Sequence, residues 1–294
     1  MTEKKRFRIY MLVAFGGGWA LQALGMLLGG TAYQAVVALA MFMPLLGVLI
    51  SHGSLKEART GLRWMPVIPG HGKWYLLAWF GPAVLSILCA ALFFLLFPAR
   101  FDESVPGITA QLEAAQAAGQ DIPLTAQALA AVTFVQAVTY APFLNMMLAV
   151  GEEAGWRGYM APFLTERFGR TAGLLLSGVI WAVWHWPLIL CAGYEYGTGY
   201  PGAPFTGMLL MCVATTALGI LLSFLYEKAE SIWAPALAHG AVNAAAGIGI
   251  LFLRADVTSL FPGPTPFGLV AGIPLFALAA WVLFLERISP QKEL

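Results

Sequence analysis

Charged residues are scarce in this chain: Asp, Glu, Lys and Arg together make up 11% of its 294 residues. A soluble globular protein carries about a quarter. The formal net charge is only +1, so no basic surplus points to nucleic acid, and we expect no nucleic-acid partner. Hydrophobic residues reach 60%, which disfavours a soluble protein. The composition therefore predicts an all-α, multi-pass membrane protein that contacts the lipid bilayer.

Cysteine is also rare. Cys89, Cys191 and Cys212 lie within or at the edges of hydrophobic runs and share no spacing. This pattern gives no disulfide framework and no cysteine-based zinc framework. The sequence contains no internal repeat and no low-complexity run. We therefore treat residues 1–294 as a single integral membrane domain.

Hydrophobic runs are long enough for transmembrane helices, which need about 20 mostly apolar residues. The fourth run lies in an apolar region from Leu124 to Leu164 that is too long for one span, and Tyr140-Ala141-Pro142 predicts a kink in it. We expect a bundle of about eight transmembrane helices. The predicted spans are 8–30, 32–51, 74–97, 126–150, 172–192, 204–226, 231–253 and 266–286.

The basic residues are distributed unevenly between the predicted loops. If the N-terminus is inside, every Lys and Arg except Arg100 and Arg254 falls on the inner side. Cytoplasmic loops are enriched in Lys and Arg. We therefore predict that both the N- and C-termini are cytoplasmic.

Two adjacent glutamates interrupt a hydrophobic stretch. Glu152 and Glu153 are followed by Arg157. A carboxylate in hydrocarbon is costly unless it is paired or solvated, and such residues usually line a functional cavity. Glu153 and Arg157 are four residues apart and are predicted to pair on one helix face. Glu152 is rotated by about 100° toward another partner, and the residues alone leave open which glutamate is the general base.

Two histidines follow in later spans. Glu152 precedes Arg170, and His185 follows it, by similar lengths of helix, so two antiparallel helices would place them at similar depth. His239 and Asn243 are four residues apart and share a face. An imidazole and an amide on one face are donors suited to an oxyanion. Each feature alone is common as a structural contact between membrane helices, but their combination in one chain favours an enzyme.

These motifs resemble the CAAX prenyl endopeptidase and bacteriocin-processing (CPBP, or Abi) family of intramembrane proteases. The family pattern is E-E-x-x-x-R, then an aromatic-x-x-x-H, then H-x-x-x-N or H-x-x-x-D. Here it reads Glu152 to Arg157, Trp181 to His185 and His239 to Asn243, within about residues 130–250. Trp181 stands where phenylalanine is common. The resemblance implies a helical bundle in a bacterial-type inner membrane, with an active site open to the cytoplasm.

The resemblance also implies a role for each residue. Glu152 would activate water with assistance from His185, and His239 and Asn243 would stabilise the oxyanion. Glu153 and Arg157 would support the cavity. The implied substrate is a membrane-associated peptide or protein, with or without a lipid anchor. The motifs do not select among a prenylated CAAX protein, a pheromone and a bacteriocin-related peptide.

Several alternatives remain at this point. Glu152, His185 and His239 offer three ligands for zinc with an open position, as in a metalloendopeptidase. We favour a metal-free mechanism without a cofactor, because the chain lacks H-E-x-x-H and these ligands come from separate helices. A peptide-binding immunity or scaffold protein is a non-enzymatic alternative. A proton-coupled transporter is another, although it predicts an internal repeat that the sequence lacks.

Overall fold

The computed structural model describes residues 1–53, 55–120 and 122–288, and these residues form helices and loops with no β-strand. The all-α prediction is confirmed. The C-terminal segment 289–294, which contains Lys292 of the predicted cytoplasmic terminus, lies outside the described residues. The helices are α1 (Glu3–Leu28), α2 (Gly30–His52), α3 (Leu55–Gly61), α4 (Gly72–Leu96), α5 (Pro106–Ala117), α6 (Ala126–Val138), α7 (Ala141–Phe168), α8 (Arg170–Ala192), α9 (Phe205–Ala229), α10 (Trp233–Phe252) and α11 (Ile273–Ile288).

Six of the described helices are long and apolar enough to cross a membrane: α1, α2, α4, α8, α9 and α10. The bent pair α6 and α7 raises the number to as many as seven. The chain is therefore an integral, multi-pass membrane protein. The last predicted span, 266–286, begins later than expected, at Ile273, and is apolar only as far as Leu285. Pro274 occupies the first turn of α11, where its missing N–H is tolerated, whereas a helix beginning at 266 would place it in the interior.

The predicted kink in the long apolar region is confirmed. Helix α6 ends at Val138, α7 begins at Ala141, and the two are bent by 49°. Pro142 occupies the first turn of α7, where its missing N–H is tolerated. Helix α7 then continues to Phe168, where Gly169, with a φ of 77°, separates it from α8. The glutamate pair consequently lies in the interior of a helix and not at its end.

The long helices run back and forth through the bundle, so the loops that connect them lie at its two ends. At one end, which we call the basic end, Ile232 N donates to Arg63 O at 3.2 Å and Trp233 Nε1 donates to Trp64 O at 2.7 Å. Arg170 pairs there with Glu227 at 2.7 Å. The cytoplasmic location of this end stays a prediction.

The opposite end, which we call the loop end, contains the connections 193–204 and 253–272. Tyr196 joins them, because its carbonyl accepts from Leu260 N at 3.3 Å and its hydroxyl donates to Phe267 O at 3.3 Å. These two loops therefore form one structure over the ends of α8, α9 and α10.

Two glycines allow helices to approach α7 beside the glutamate pair. A Cβ on Gly155 would overlap Pro44 of α2. A Cβ on Gly240 of α10 would lie 2.5 Å from Met146 N and from Pro142 O. Because real Cβ contacts are longer, the α7–α10 approach requires glycine at this position. This close packing brings His239, the neighbour of Gly240, to α7.

Candidate active site

A cavity of about 350 Å³ lies within the bundle, between α2, α7, α8, α9, α10 and the loop end. Glu152, His185, His239 and Asn243 all line it. The structure thus brings together the four residues that the sequence assigned to the reaction. Its walls are otherwise mostly apolar, including Met41, Trp184, Leu188, Met211 and Leu218.

Glu152 is held at the cavity wall by two tryptophans. Its carboxylate is 3% exposed. Its Oε2 atom accepts from Trp156 Nε1 at 3.0 Å and from Trp181 Nε1 at 2.7 Å. Two donors on one oxygen fix the orientation of the carboxylate. No described residue hydrogen-bonds to Oε1, so this oxygen can accept a proton from a substrate or a water.

The local backbone contributes to this arrangement. Helix α7 changes to a π-helical turn at Trp156–Met160, directly after the glutamate pair. Such turns are frequent at functional sites. Trp156 lies four residues after Glu152 and shares its helix face, which lets the indole reach the carboxylate.

Glu153 is the centre of a separate, buried network. Its Oε1 atom accepts from Arg157 Nη1 at 2.9 Å and from His239 Nδ1 at 2.8 Å. Glu153 is 0% exposed and Arg157 is 2% exposed. The guanidinium also lies 3.9 Å from the centre of the Trp181 ring. The predicted Glu153–Arg157 pair is confirmed, and neither residue lines the cavity.

The hydrogen bonds of the two histidines indicate their tautomers. His185 Nδ1 lies 3.0 Å from Trp181 O, and a carbonyl only accepts, so Nδ1 carries the proton. His239 Nδ1 likewise donates to the Glu153 carboxylate. In each ring Nε2 has no hydrogen-bond partner among the described residues. Both histidines can therefore use Nε2 toward a molecule in the cavity.

Trp181 contacts both Glu152 and His185. Its indole N–H donates to Glu152, and its backbone carbonyl accepts from His185. The predicted meeting of Glu152 and His185 is observed, since both line one cavity and contact this residue, and their depth in the membrane stays a prediction. We had no sequence signal for the indole donor beyond the aromatic position of the motif.

Tyr194 is a cavity residue that sequence reasoning missed. Its ring stacks on the His185 ring, with centroids 5.8 Å apart and an interplanar angle of 12°. Gly193 and Glu195, on either side, both have a φ of 64°, and this turn directs the chain back from the end of α8. The Gly-Tyr-Glu sequence directly after a transmembrane helix was the available signal.

The described residues contain no group of three or more His, Cys, Asp or Glu arranged to hold a metal ion. Glu152 Oε2 already accepts two indole N–H groups, and the Nδ1 atoms of His185 and His239 are bonded to protein oxygens. These bonds leave Glu152 Oε1 and the Nε2 atoms of both histidines without described partners, and metal-binding histidines commonly donate Nδ1–H in this way, so the poor fit to a zinc site rests on the arrangement of the described residues alone. Whether the protein uses a metal stays a prediction.

Comparison with known proteins gives two matches. Residues 134–245 match the family model described as type II CAAX prenyl endopeptidase Rce1-like. A CAAX prenyl protease 2 from Methanococcus maripaludis is 40% identical over 55 residues, which are 18% of this chain and 20% of that protein. The chain thus matches about a fifth of the length of this curated relative. The matched family segment contains all six predicted site residues, and the resemblance read from the motifs is confirmed.

Proposed function

Because its site-bearing segment is similar to CAAX prenyl endopeptidases, we propose that this protein is an intramembrane endopeptidase. It hydrolyses a peptide bond in a membrane-associated peptide or protein. The observation that carries the proposal is the geometry of Glu152. This buried carboxylate has one oxygen fixed by two indoles, and it lines a cavity that also contains two imidazoles.

Glu152 is the general base in this proposal, and Glu153 is not. Glu153 is fully buried, is absent from the cavity wall, and uses Oε1 for Arg157 and His239. Glu152 lines the cavity and keeps Oε1 for water. It removes one proton from water as the oxygen attacks the peptide carbon. His185, with Nε2 available on the same wall, helps to orient that water.

His239 and Asn243 stabilise the oxyanion that forms on the substrate carbonyl. His239 Nδ1 donates to Glu153, so a donor at Nε2 requires a protonated ring. Glu153 orients and stabilises this imidazolium, as the buried carboxylate does in serine-protease triads.

The second half of the reaction returns the proton. The C–N bond breaks, and Glu152 transfers its proton to the leaving amine. The products are a carboxylic acid and an amine, and Glu152 is again ionised. The proposal contains no metal-bound step, because the donors do not fit a three-ligand site. We place the enzyme in a bacterial-type inner membrane with its basic end on the cytoplasmic side.

Two other functions predict different behaviour. A peptide-binding immunity or scaffold protein needs the cavity but no base, so it predicts binding that survives removal of the Glu152 carboxylate. A proton-coupled transporter predicts alternating access between two repeats. The glutamate and histidine cluster instead comes from α7, α8 and α10 in one half of the chain.

Cleavage of a membrane-anchored peptide library in proteoliposomes tests the proposal. We expect Glu152→Gln to reduce kcat/KM by about 100-fold or more, because the general base is removed. Glu103→Gln is the matched control, since Glu103 is an exposed loop glutamate. Full cleavage by Glu152→Gln would refute the base assignment. Loss of wild-type activity in chelator, restored by zinc, would replace the metal-free mechanism with a zinc mechanism.

A further inference from the structure

The loop end of the cavity contains two polar residues that the proposed hydrolysis does not use. Glu195 comes from the 193–204 connection and Thr265 from the 253–272 connection, and both line the same cavity as Glu152. The hydrogen bonds of Tyr196 to Leu260 and Phe267 hold these two connections together. Glu195 and Thr265 therefore occupy a wall whose backbone is fixed.

The Glu195 carboxyl group has no partner in the part of the protein that the structure describes. It is half-buried, and no described residue forms a hydrogen bond or an ion pair with it. Burial raises the pKa of this carboxyl to about 7. Its backbone φ of 64° lies in the left-handed region, which is unfavourable for a residue with a Cβ by about 1 kcal/mol. The loop thus holds a carboxyl group in an unfavourable setting, and no hydrogen bond or ion pair from the described residues compensates it.

Thr265 also has a polar group without a described partner. It is 3% exposed, and its hydroxyl has no hydrogen-bond partner among the described residues. Leaving a buried hydroxyl unsatisfied costs about 1–3 kcal/mol. Thr265 thus has a buried hydroxyl without a described partner, and Glu195 has a half-buried carboxyl group without one, and both residues line the same cavity. A ligand in the cavity that bonds to both would account for the two groups together.

The charge of the cavity indicates what that ligand carries. Among the described residues that line the cavity, Glu152 and Glu195 bear carboxylates and none is Lys or Arg. Arg157 is covered by the Trp181 ring and is not part of the wall. The imidazolium proposed for His239 is paired with Glu153, so a substrate carboxylate beside Glu195 would meet no Lys or Arg on the described cavity wall. An ammonium or guanidinium group has several N–H donors and would satisfy both Glu195 and the Thr265 hydroxyl.

We propose that Glu195 and Thr265 form a substrate-recognition subsite that binds a positively charged side chain, Lys or Arg, of the peptide. This inference rests on the proposed function, since it takes the cavity to be the peptide site. It makes Glu195 a specificity-determining residue. It also predicts that a peptide bearing a carboxylate at this position is a poor ligand.

Peptide binding tests the subsite without requiring cleavage. The protein is the full chain with Glu152→Gln, and the probes are palmitoylated, fluorescein-labelled decapeptides in which Lys, Met or Glu is moved through successive positions. At one position we expect Lys to bind about tenfold more tightly than Glu, as measured by anisotropy. Adding Glu195→Gln abolishes this preference, and adding Glu195→Lys reverses it. Thr265→Val, which keeps the side-chain shape, weakens it by about threefold. Glu103→Gln leaves it unchanged.

The outcomes separate this inference from the proposed function. Equal binding of the Lys, Met and Glu peptides, a preference that survives Glu195→Gln, or no peptide binding overturns the subsite. Cleavage of the same series by the wild type without any charge preference also overturns the subsite but leaves the protease. A Glu195-dependent preference without cleavage supports the subsite and overturns the protease.

Discussion

Glu153 and Glu195 are both withdrawn from bulk water, but their surroundings differ. Glu153 accepts from Arg157 at 2.9 Å and from His239 at 2.8 Å, within a helix packed on two sides. Glu195 lies in a loop with a left-handed backbone and no described hydrogen bond. A buried charge with a fixed partner belongs to the architecture of the site. A polar group without a partner at a cavity wall is available to a ligand.

The same contrast divides the cavity into two parts. Around the glutamate pair, the Nδ1 atoms of His185 and His239 and the Oε2 atom of Glu152 are hydrogen-bonded to protein partners. The Nε2 atoms of the histidines and Oε1 of Glu152 are left for the reaction. At the loop end, the buried hydroxyl of Thr265 has no hydrogen-bond partner among the described residues, and none of them hydrogen-bonds to the half-buried carboxyl group of Glu195. Chemistry requires preorganised groups, whereas side-chain recognition requires available ones.

Removal of the Arg157 charge should have the largest effect. Arg157→Met leaves the Glu153 carboxylate buried without its cation, and we expect a loss of about 3–5 kcal/mol in unfolding free energy. Unfolding in detergent with added denaturant measures this loss. The double variant Glu153→Gln/Arg157→Met should recover most of the stability but not the activity. Arg254→Met, which breaks an exposed pair with Asp256, is the control. Wild-type stability in Arg157→Met would mean that the buried pair is not a structural element.

Trp181→Phe tests whether the indole donor, rather than the ring, matters at the active site. Phenylalanine keeps an aromatic ring but loses the N–H that donates to Glu152 at 2.7 Å. A hydrogen bond to a charged group contributes about 1.5–3 kcal/mol, so kcat/KM should fall about tenfold or more. Trp19→Phe is the control, because Trp19 donates to a neutral backbone carbonyl. Equal losses in the two variants would show that the donor to Glu152 has no special role.

Gly240→Ala tests the close contact between α7 and α10. In Gly240→Ala the new Cβ would lie 2.5 Å from Met146 N, so α10 must shift and move His239 with it. We expect a loss of about 1–3 kcal/mol in stability and a parallel loss of activity. Gly107→Ala is the control, since a Cβ there meets nothing within 4 Å. An active, stable Gly240→Ala protein would mean that His239 tolerates this displacement.

The sequence predicted those features that depend on local periodicity. Run lengths indicated the spans, Pro142 indicated the bend, and the four-residue spacing indicated the Glu153–Arg157 pair. The contact between Glu153 and His239 joins two helices distant in the chain, and helical spacing does not specify which carboxylate a distant imidazole meets.

The arrangement of the loop end could not be predicted from local periodicity. Loops have no hydrophobic period, so nothing in the sequence placed Glu195 and Thr265 on one cavity wall. Pro274 also fixes the start of α11 near Ile273, since proline is tolerated in the first turn of a helix but not in its interior. Sequence patterns identified the reacting groups, whereas the residues proposed to select the substrate required tertiary structure.

The smallest expected effect concerns pH, and it applies to Glu195 alone. Burial raises the pKa of this carboxyl to about 7, and a cationic side chain binds only the ionised form. Affinity follows the ionised fraction, so the preference for Lys over Met peptides should rise about threefold from pH 6.5 to 7.5. Glu152, His185, His239 and Tyr194 are the other ionisable groups on the described cavity wall, and the Glu195→Gln variant separates their contribution from that of Glu195.

Glu195→Gln is the variant that isolates this pH effect. Its peptide preference should be both weak and independent of pH, because the amide does not ionise. A rise that persists in Glu195→Gln would assign the titration to another group, such as His185, whose loss of positive charge at higher pH would favour a cationic ligand in the same direction. A flat profile in the wild type would mean that Glu195 is already ionised at pH 6.5. Glu195 would then be a stabilised carboxylate, as Glu153 is. The two glutamates would differ only in whether a ligand in the cavity can reach them.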